Sequence, residues 1–289
     1  MAPMNRRTLL AGFGVSLLAG CAPSLGLFDA VAPRDAGVRQ VARDAAYGAL
    51  PRQTLDVYRP ADAAPAMPVI VFIHGGSWRS GDKRDYGFVG AAFASRGFLA
   101  VLPNYRLVPE VRFPAFVEDC AAAVRWTQDH AVAHGGDPRR IVLVGHSAGA
   151  YNAAMLTLDA RFLAGAGVDA RNVRGFVGLA GPYDFLPFDV DATRDAFGEA
   201  PDSAATQPVH FARAGAAPML LLWGEDDTTV GRRSIDGLAR AQRAVGGAVE
   251  TKVYPGIDHV EIMLALSRPL RGRAPVLADV TAFARRVTA

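Results

Sequence analysis

The chain has 289 residues, of which 51% are hydrophobic and 20% charged, with a formal net charge of +3. Such a length and apolar content can bury a large single core, so neither a disulfide framework nor a metal is needed to hold it together. Two of the excess positive charges, Arg6 and Arg7, lie in an N-terminal leader. The remainder is near neutral, which removes the bulk electrostatic case for a nucleic-acid partner.

In the leader, Asn5-Arg6-Arg7-Thr8 is followed by an uncharged, mostly apolar stretch over 9–19 and then by Leu18-Ala19-Gly20-Cys21. A charged start, a short apolar segment and small residues make a signal peptide over 1–20, too short for an ordinary transmembrane helix. The Leu-Ala-Gly-Cys end resembles a bacterial lipobox, which makes Cys21 the lipidated first residue of the mature protein. Arg6-Arg7 with Leu9-Leu10 resembles a twin-arginine export signal, although Asn5 stands where Ser or Thr is usual. The expectation is an exported bacterial lipoprotein, anchored to the membrane through Cys21 on the periplasmic side of the cell envelope. The alternative is a cleaved, soluble secreted protein. Cys120 falls in a helical stretch and reads as a small buried hydrophobe, so no disulfide is expected.

Residues 21–45, rich in Ala, Pro, Asp and Arg, show no strong periodicity and suit a tether. The domain is expected over 46–289. Apolar or β-branched runs predict strands at 53–58, 69–73, 98–102, 141–144, 175–179, 219–223 and 249–254. Helical stretches fall between most of them, at 86–95, 116–133, 147–158 and 232–245, and a last one spans 276–287. Apolar strands alternating with helices predict an α/β fold, a mostly parallel central sheet with helices on both faces. Ligands on such sheets gather at the carboxyl ends of the strands. Residues 182–215 lack a clear period and read as a small lid or a long connection.

Gly145-His146-Ser147-Ala148-Gly149 follows the apolar run 141–144 and opens a helical stretch. A strand that turns sharply into a helix leaves the serine oxygen exposed, and the flanking glycines let the chain make that turn. A nucleophilic serine needs a base, and position removes most of the six histidines. His146 belongs to the elbow, His74 to a glycine turn and His210 to the irregular segment. His130 and His134 are four apart, but Ala131 stands where H-E-x-x-H requires glutamate. His259, in a loop after the last predicted strand, remains. The orienting acid should follow a strand between the two, where Gly224-Glu225-Asp226-Asp227 offers three carboxylates among which spacing does not choose. His74-Gly75-Gly76-Ser77-Trp78 follows the strand at 69–73, and glycines there let backbone N–H groups face a ligand closely. A phosphate loop fails, because Asp82 rather than Lys follows Gly81.

Taken in order, His74-Gly75-Gly76-Ser77-Trp78, Asn104-Tyr105-Arg106-Leu107-Val108-Pro109-Glu110, the pentapeptide 145–149, residues 224–230 and the loop at His259 carry a resemblance. The chain resembles an α/β-hydrolase superfamily serine esterase, near the carboxylesterases with an H-G-G-x-W loop and the hormone-sensitive-lipase-like group. The resemblance implies an α/β-hydrolase fold and a Ser147, Asp227, His259 triad, because G-x-x-D-x-x-V places the acid at Asp227 with Asp226 as fallback. It also implies oxyanion donors at Gly76, Ser77 and Ala148, a small-molecule ester substrate, no metal or other cofactor, and no obligate protein partner. Ser77 departs from the third glycine of the lipase-like loop, and the leader stands in place of that group's cap helices. Two alternatives are a formamidase, amidase or short-peptide hydrolase with the same triad, and a non-catalytic lipid-anchored binding protein on this scaffold. Trp78, Tyr151 and Phe185 suit a pocket wall and core packing equally.

Overall fold

The computed structural model describes residues 25–289. The leader, the lipobox and Cys21 lie outside the described residues. The elements run α1 (Leu25–Val31), β1 (Val38–Ala46), β2 (Thr54–Pro60), β3 (Met67–Ile73), α2 (Gly87–Ala94), β4 (Leu99–Pro103), α3 (Ala115–His130) and β5 (Gly136–His146). They continue with α4 (Ala148–Leu158), α5 (Ala160–Gly165), β6 (Val173–Leu179), α6 (Asp191–Phe197), β7 (Met219–Gly224), α7 (Arg232–Ala244), β8 (Val249–Tyr254), α8 (Glu261–Leu264) and α9 (Val276–Thr288).

The eight strands form one sheet in the order β1-β2-β4-β3-β5-β6-β7-β8. β2 pairs antiparallel with both β1 and β4, and the pairs from β4 through β8 are parallel. The alternation of side chains along each central strand splits the core into two layers. Val69, Val71, Ile141, Leu143 and Leu221 face one layer, packed on by α3, α4 and α7. Ile70, Phe72, Val142, Val144 and Leu222 face the other, packed on by α2 and α9. Both faces are covered, which is why these strands read as continuous apolar runs. α2 and α4 are buried all round, and each fully buried Val or Leu side chain contributes about 1.5–3 kcal/mol.

Register brings the functional turns to one edge. Ile73 lies opposite Gly145, and His146 opposite Leu179, so β3, β5 and β6 end together. Gly224 opposite Tyr254 does the same for β7 and β8. At this carboxyl edge the chain turns through positive φ at Ser77 (53°), Trp78 (57°), Ser147 (53°) and Ala180 (51°). Each costs about 1–2 kcal/mol for a residue with a Cβ, strain that is characteristic of sites rather than of plain connections.

The expected tether over 21–45 is corrected for the residues described. α1 packs on α2, with Phe28 edge-on to Phe88 at 5.3 Å. The Asp29 carboxylate accepts from the Phe88 N–H at 2.6 Å and from Arg34 at 2.5 Å. β1 is an edge strand with two register shifts against β2. Its side chains alternate between water and a thin contact, so no apolar run marks it. Lys83, buried before α2, secures this edge by pairing with Asp44 of β1 and with Asp56 of β2, the latter at 2.7 Å. Residues 182–215 form a packed connection around α6. Phe197 sits 4.8 Å from Trp78 and 5.1 Å from Tyr151, ring centre to ring centre.

Candidate active site

The elbow after β5 is built by steric necessity. A Cβ at Gly145 would overlap the Gly149 carbonyl, and a Cβ at Gly149 would overlap the Ile73 carbonyl oxygen. The pentapeptide glycines are therefore where α4 crosses directly over its own strand and over β3. The Ser147 N–H donates to the Leu179 carbonyl at 2.9 Å, which fixes the turn against β6. Ser147 stands at the N-cap of α4 but makes no capping bond, although an N-cap serine ordinarily accepts from the helix N–H groups. Its Oγ instead lies 2.9 Å from His259 Nε2.

His259 Nδ1 lies 2.8 Å from Asp227 Oδ2. A carboxylate only accepts, so Nδ1 carries the proton and Nε2 is left to accept from the Ser147 hydroxyl. Of the three acids after β7, Glu225 and Asp226 are exposed, whereas the Asp227 side chain is 0% exposed. Asp227 Oδ1 accepts from the N–H groups of Thr229 (2.8 Å) and Val230 (2.9 Å). Burial opposes the Asp227 charge, yet the bonds from His259 and from Val230 and Thr229 outweigh it and hold the carboxyl below its ordinary range. The position assigned by the G-x-x-D-x-x-V pattern is thus the one that meets His259; the fallback Asp226 is not.

Gly224 is where this turn meets the His259 loop, since a Cβ there would overlap the Ile257 carbonyl. The Asp226 N–H donates to Ile257 at 3.0 Å, and Asp258 Oδ1 caps the N–H groups of Val260 and Glu261 at 2.9 and 2.7 Å. The turn after β3 approaches from the other side. A Cβ on Gly75 would lie 3.0 Å from Ser147 Cβ. Gly76 adopts φ +119°, and its carbonyl accepts from Arg79 and Ser80 at 3.0 Å. Ala148 is the first residue of α4, so its N–H has no acceptor within the helix. Ala148 thus adjoins Ser147 in the chain, and the turn that carries Gly76 and Ser77 comes up to Ser147 at Gly75.

Sequence reasoning did not foresee what holds the β3 turn. His74 stacks on Tyr105 at 4.6 Å, and the Tyr105 hydroxyl donates to the His74 carbonyl at 2.9 Å. Arg52 bridges the Tyr105 and Gly81 carbonyls, both at 2.8 Å. The only signal was the Asn104-Tyr105-Arg106 motif itself. Trp78 and Tyr151 are core residues, tied to Asn152 (3.2 Å) and to the Thr206 carbonyl (2.7 Å), while Phe185 is partly exposed. His130 stacks on Trp126 at 4.4 Å with His134 at 5.8 Å. Among the described residues no cluster of His, Cys, Asp and Glu is arranged to hold a metal, and no helix is long and apolar enough to cross a membrane. Two cavities, of about 590 and 510 Å³, lie away from Ser147. One is at the amino ends of β6 and β7, and the other between α3 and α5.

Known proteins are similar to this chain in sequence and in fold. The chain is 28% identical to the isoprenylcysteine alpha-carbonyl methylesterase ICME of Arabidopsis thaliana, over 83% of its own length and 61% of that protein. It is 28% identical to esterase LipQ of Mycobacterium tuberculosis, over 80% of its own length and 59% of that protein. It thus spans about 60% of the length of these relatives. Among solved structures, a truncated carbohydrate esterase from gut microbiota superposes with a TM-score of 0.76 at 21% identity, covering 89% of this chain and 99% of that one. That likeness establishes the α/β-hydrolase fold. The BD-FAE family profile matches residues 55–240, well over half of the chain, beginning within β2 and ending within α7, and the protein therefore belongs to the BD-FAE family.

Proposed function

We propose that the protein is a carboxylesterase-type serine hydrolase, with Ser147 as nucleophile, His259 as base and Asp227 as the orienting acid. The observation that carries this is the run of hydrogen bonds from Ser147 Oγ to His259 (2.9 Å) and on to Asp227 (2.8 Å), hung on a strand-to-helix elbow. The names of the relatives, methylesterase and esterase, support an ester rather than an amide as substrate.

The Ser147 hydroxyl gives its proton to His259 Nε2 as Oγ bonds to the ester carbonyl carbon. Negative charge gathers on the carbonyl oxygen, where the N–H groups of Gly76, Ser77 and Ala148 are proposed to meet it. Collapse breaks the bond to the leaving alcohol, whose oxygen takes the proton back from His259. Water then repeats the sequence on the acyl-enzyme, releasing the acid and restoring Ser147. Asp227, ionised and buried, holds the Nδ1–H tautomer throughout and stabilises the imidazolium as it forms.

A fluorophosphonate probe tests this directly. Labelling at Ser147, lost in Ser147→Ala together with turnover of a short aryl ester, is expected; turnover undiminished in the purified Ser147→Ala protein would refute it. We further infer, from Leu18-Ala19-Gly20-Cys21, that Cys21 is lipidated and places this chemistry at a membrane surface. Detergent-phase partition that is unchanged in Cys21→Ser would overturn that placement.

A further inference from the structure

The elbow carries a second imidazole that the triad does not use. His146, which immediately precedes Ser147, is buried. Its Nε2–H donates to the backbone carbonyl of His259 at 2.7 Å, and the two rings lie 5.0 Å apart. A carbonyl only accepts, so the proton sits on Nε2 and Nδ1 is the bare nitrogen. That Nδ1 is buried without a partner. Burial, and then the neighbouring charge that His259 takes on when protonated, push His146 down to about 3, so it remains a neutral donor across the working range.

An unpartnered buried acceptor costs about 1–3 kcal/mol, which a Leu or Met at this position would avoid. What the imidazole supplies in return is the Nε2–H bond. The recipient loop needs it, because β8, which carries the loop, is an edge strand of the sheet and is mostly exposed. Asp227 fixes the rotation of the His259 ring, but a ring is only as well placed as its backbone.

We infer that His146 is a positioning residue that ties the His259 main chain to the nucleophile elbow. His146 and Ser147 are consecutive on one strained turn, so a single rigid piece of backbone sets both Ser147 Oγ and, through the His259 carbonyl, the Nε2 that faces it. The inference rests on the reading of Ser147 and His259 as nucleophile and base.

The test compares His146→Met, which fills similar space without a donor, with His146→Gln, whose amide retains one. The expected result for the Met variant is kcat lowered by about 10- to 100-fold with KM within about twofold, since small misplacements of reacting groups cost that much. The rate of fluorophosphonate labelling should fall in parallel, and Gln should recover most of the loss. A folded Met variant with wild-type kcat, or a Gln variant no better than Met, would overturn the inference. If neither variant folds, ¹⁵N-histidine NMR of the wild-type protein decides: a proton on His146 Nε2 and none on Nδ1 supports it, and the opposite tautomer overturns it. Failure of the probe to label wild-type Ser147 would instead count against the esterase reading, and the tautomer measurement would still stand.

Discussion

The two halves of the proposed catalytic pair are held in different ways. Ser147 directly follows β5, at the centre of the sheet, and leads into α4, whose residues are all buried. Its position follows from backbone packing: two glycines, a carbonyl from β6 and a helix seated in the core. His259 follows β8, an edge strand with mostly exposed side chains, and its loop is held by side-chain hydrogen bonds from Asp227, His146 and Asp258. Ser147 is placed by the core, and His259 by polar bonds made around it. Lesions in the first region should therefore cost the fold, and lesions in the second should cost the rate.

The largest expected effect lies on the loop side. Asp227→Asn should lower kcat by about ten-thousand-fold, because an amide cannot enforce the Nδ1–H tautomer. Asp226→Asn, at an exposed position, should stay within about twofold. Steady-state kinetics on an aryl ester checks both, and comparable losses would break the distinction between the two acids. On the elbow side, Gly149→Ala drives a methyl group into the Ile73 carbonyl, which is backbone and cannot swing aside. A loss of more than about 3 kcal/mol in urea unfolding is expected, with activity falling alongside; a stable, active variant would show that the elbow is not sterically forced.

Lys83→Met probes a region outside both. It leaves the buried Asp56 carboxylate without its cation and should cost about 3 kcal/mol, while kcat of the folded protein stays near wild type. A large fall in kcat at unchanged stability would mean that this edge reaches the site. The smallest effect per group is the pH dependence of stability. Burial lowers His74 to about 4 and His146 to about 3, from an ordinary value of 6.5. Below pH 6.5 the unfolded chain binds protons that the folded chain refuses, so stability falls as the solution becomes more acidic. The slope is about 1.4 kcal/mol per pH unit for each histidine down towards pH 4. Asp227, held below its ordinary 3.8, keeps its contribution until the pH drops below that value and does not mask the trend. Urea midpoints at pH 7.5 and 5.5 measure it, and greater stability at pH 5.5 would contradict the burial of both rings.

Most of the fold was legible because the central strands are covered on both faces and announce themselves as apolar runs, as at 69–73 and 141–144. The elbow and the Gly76 turn were legible because each glycine meets a local backbone requirement. β1 was not, because an edge strand whose side chains alternate between water and a thin contact has no apolar run. Its partner Lys83 is 27 residues from Asp56 and 39 from Asp44. α6 was missed for a related reason: it is seven residues long, and its anchor, Phe197, acquires meaning only against Trp78 and Tyr151.

By itself the sequence determined the order of strand, turn and helix and the residue types at each turn, because periodicity and turn chemistry act over a few neighbouring residues. It also left His259 as the candidate base and three acids after β7, among which only the family pattern G-x-x-D-x-x-V chose Asp227. Tertiary structure decided the rest. It buried Asp227 and left Asp226 in water, brought β7 and β8 to a common end so that a carboxylate and an imidazole 32 residues apart lie within 2.8 Å, and turned His146 from a spacer in a motif into a donor on the base's own backbone. These are facts of register and burial. They depend on which strands lie side by side, and no local pattern of residues encodes that.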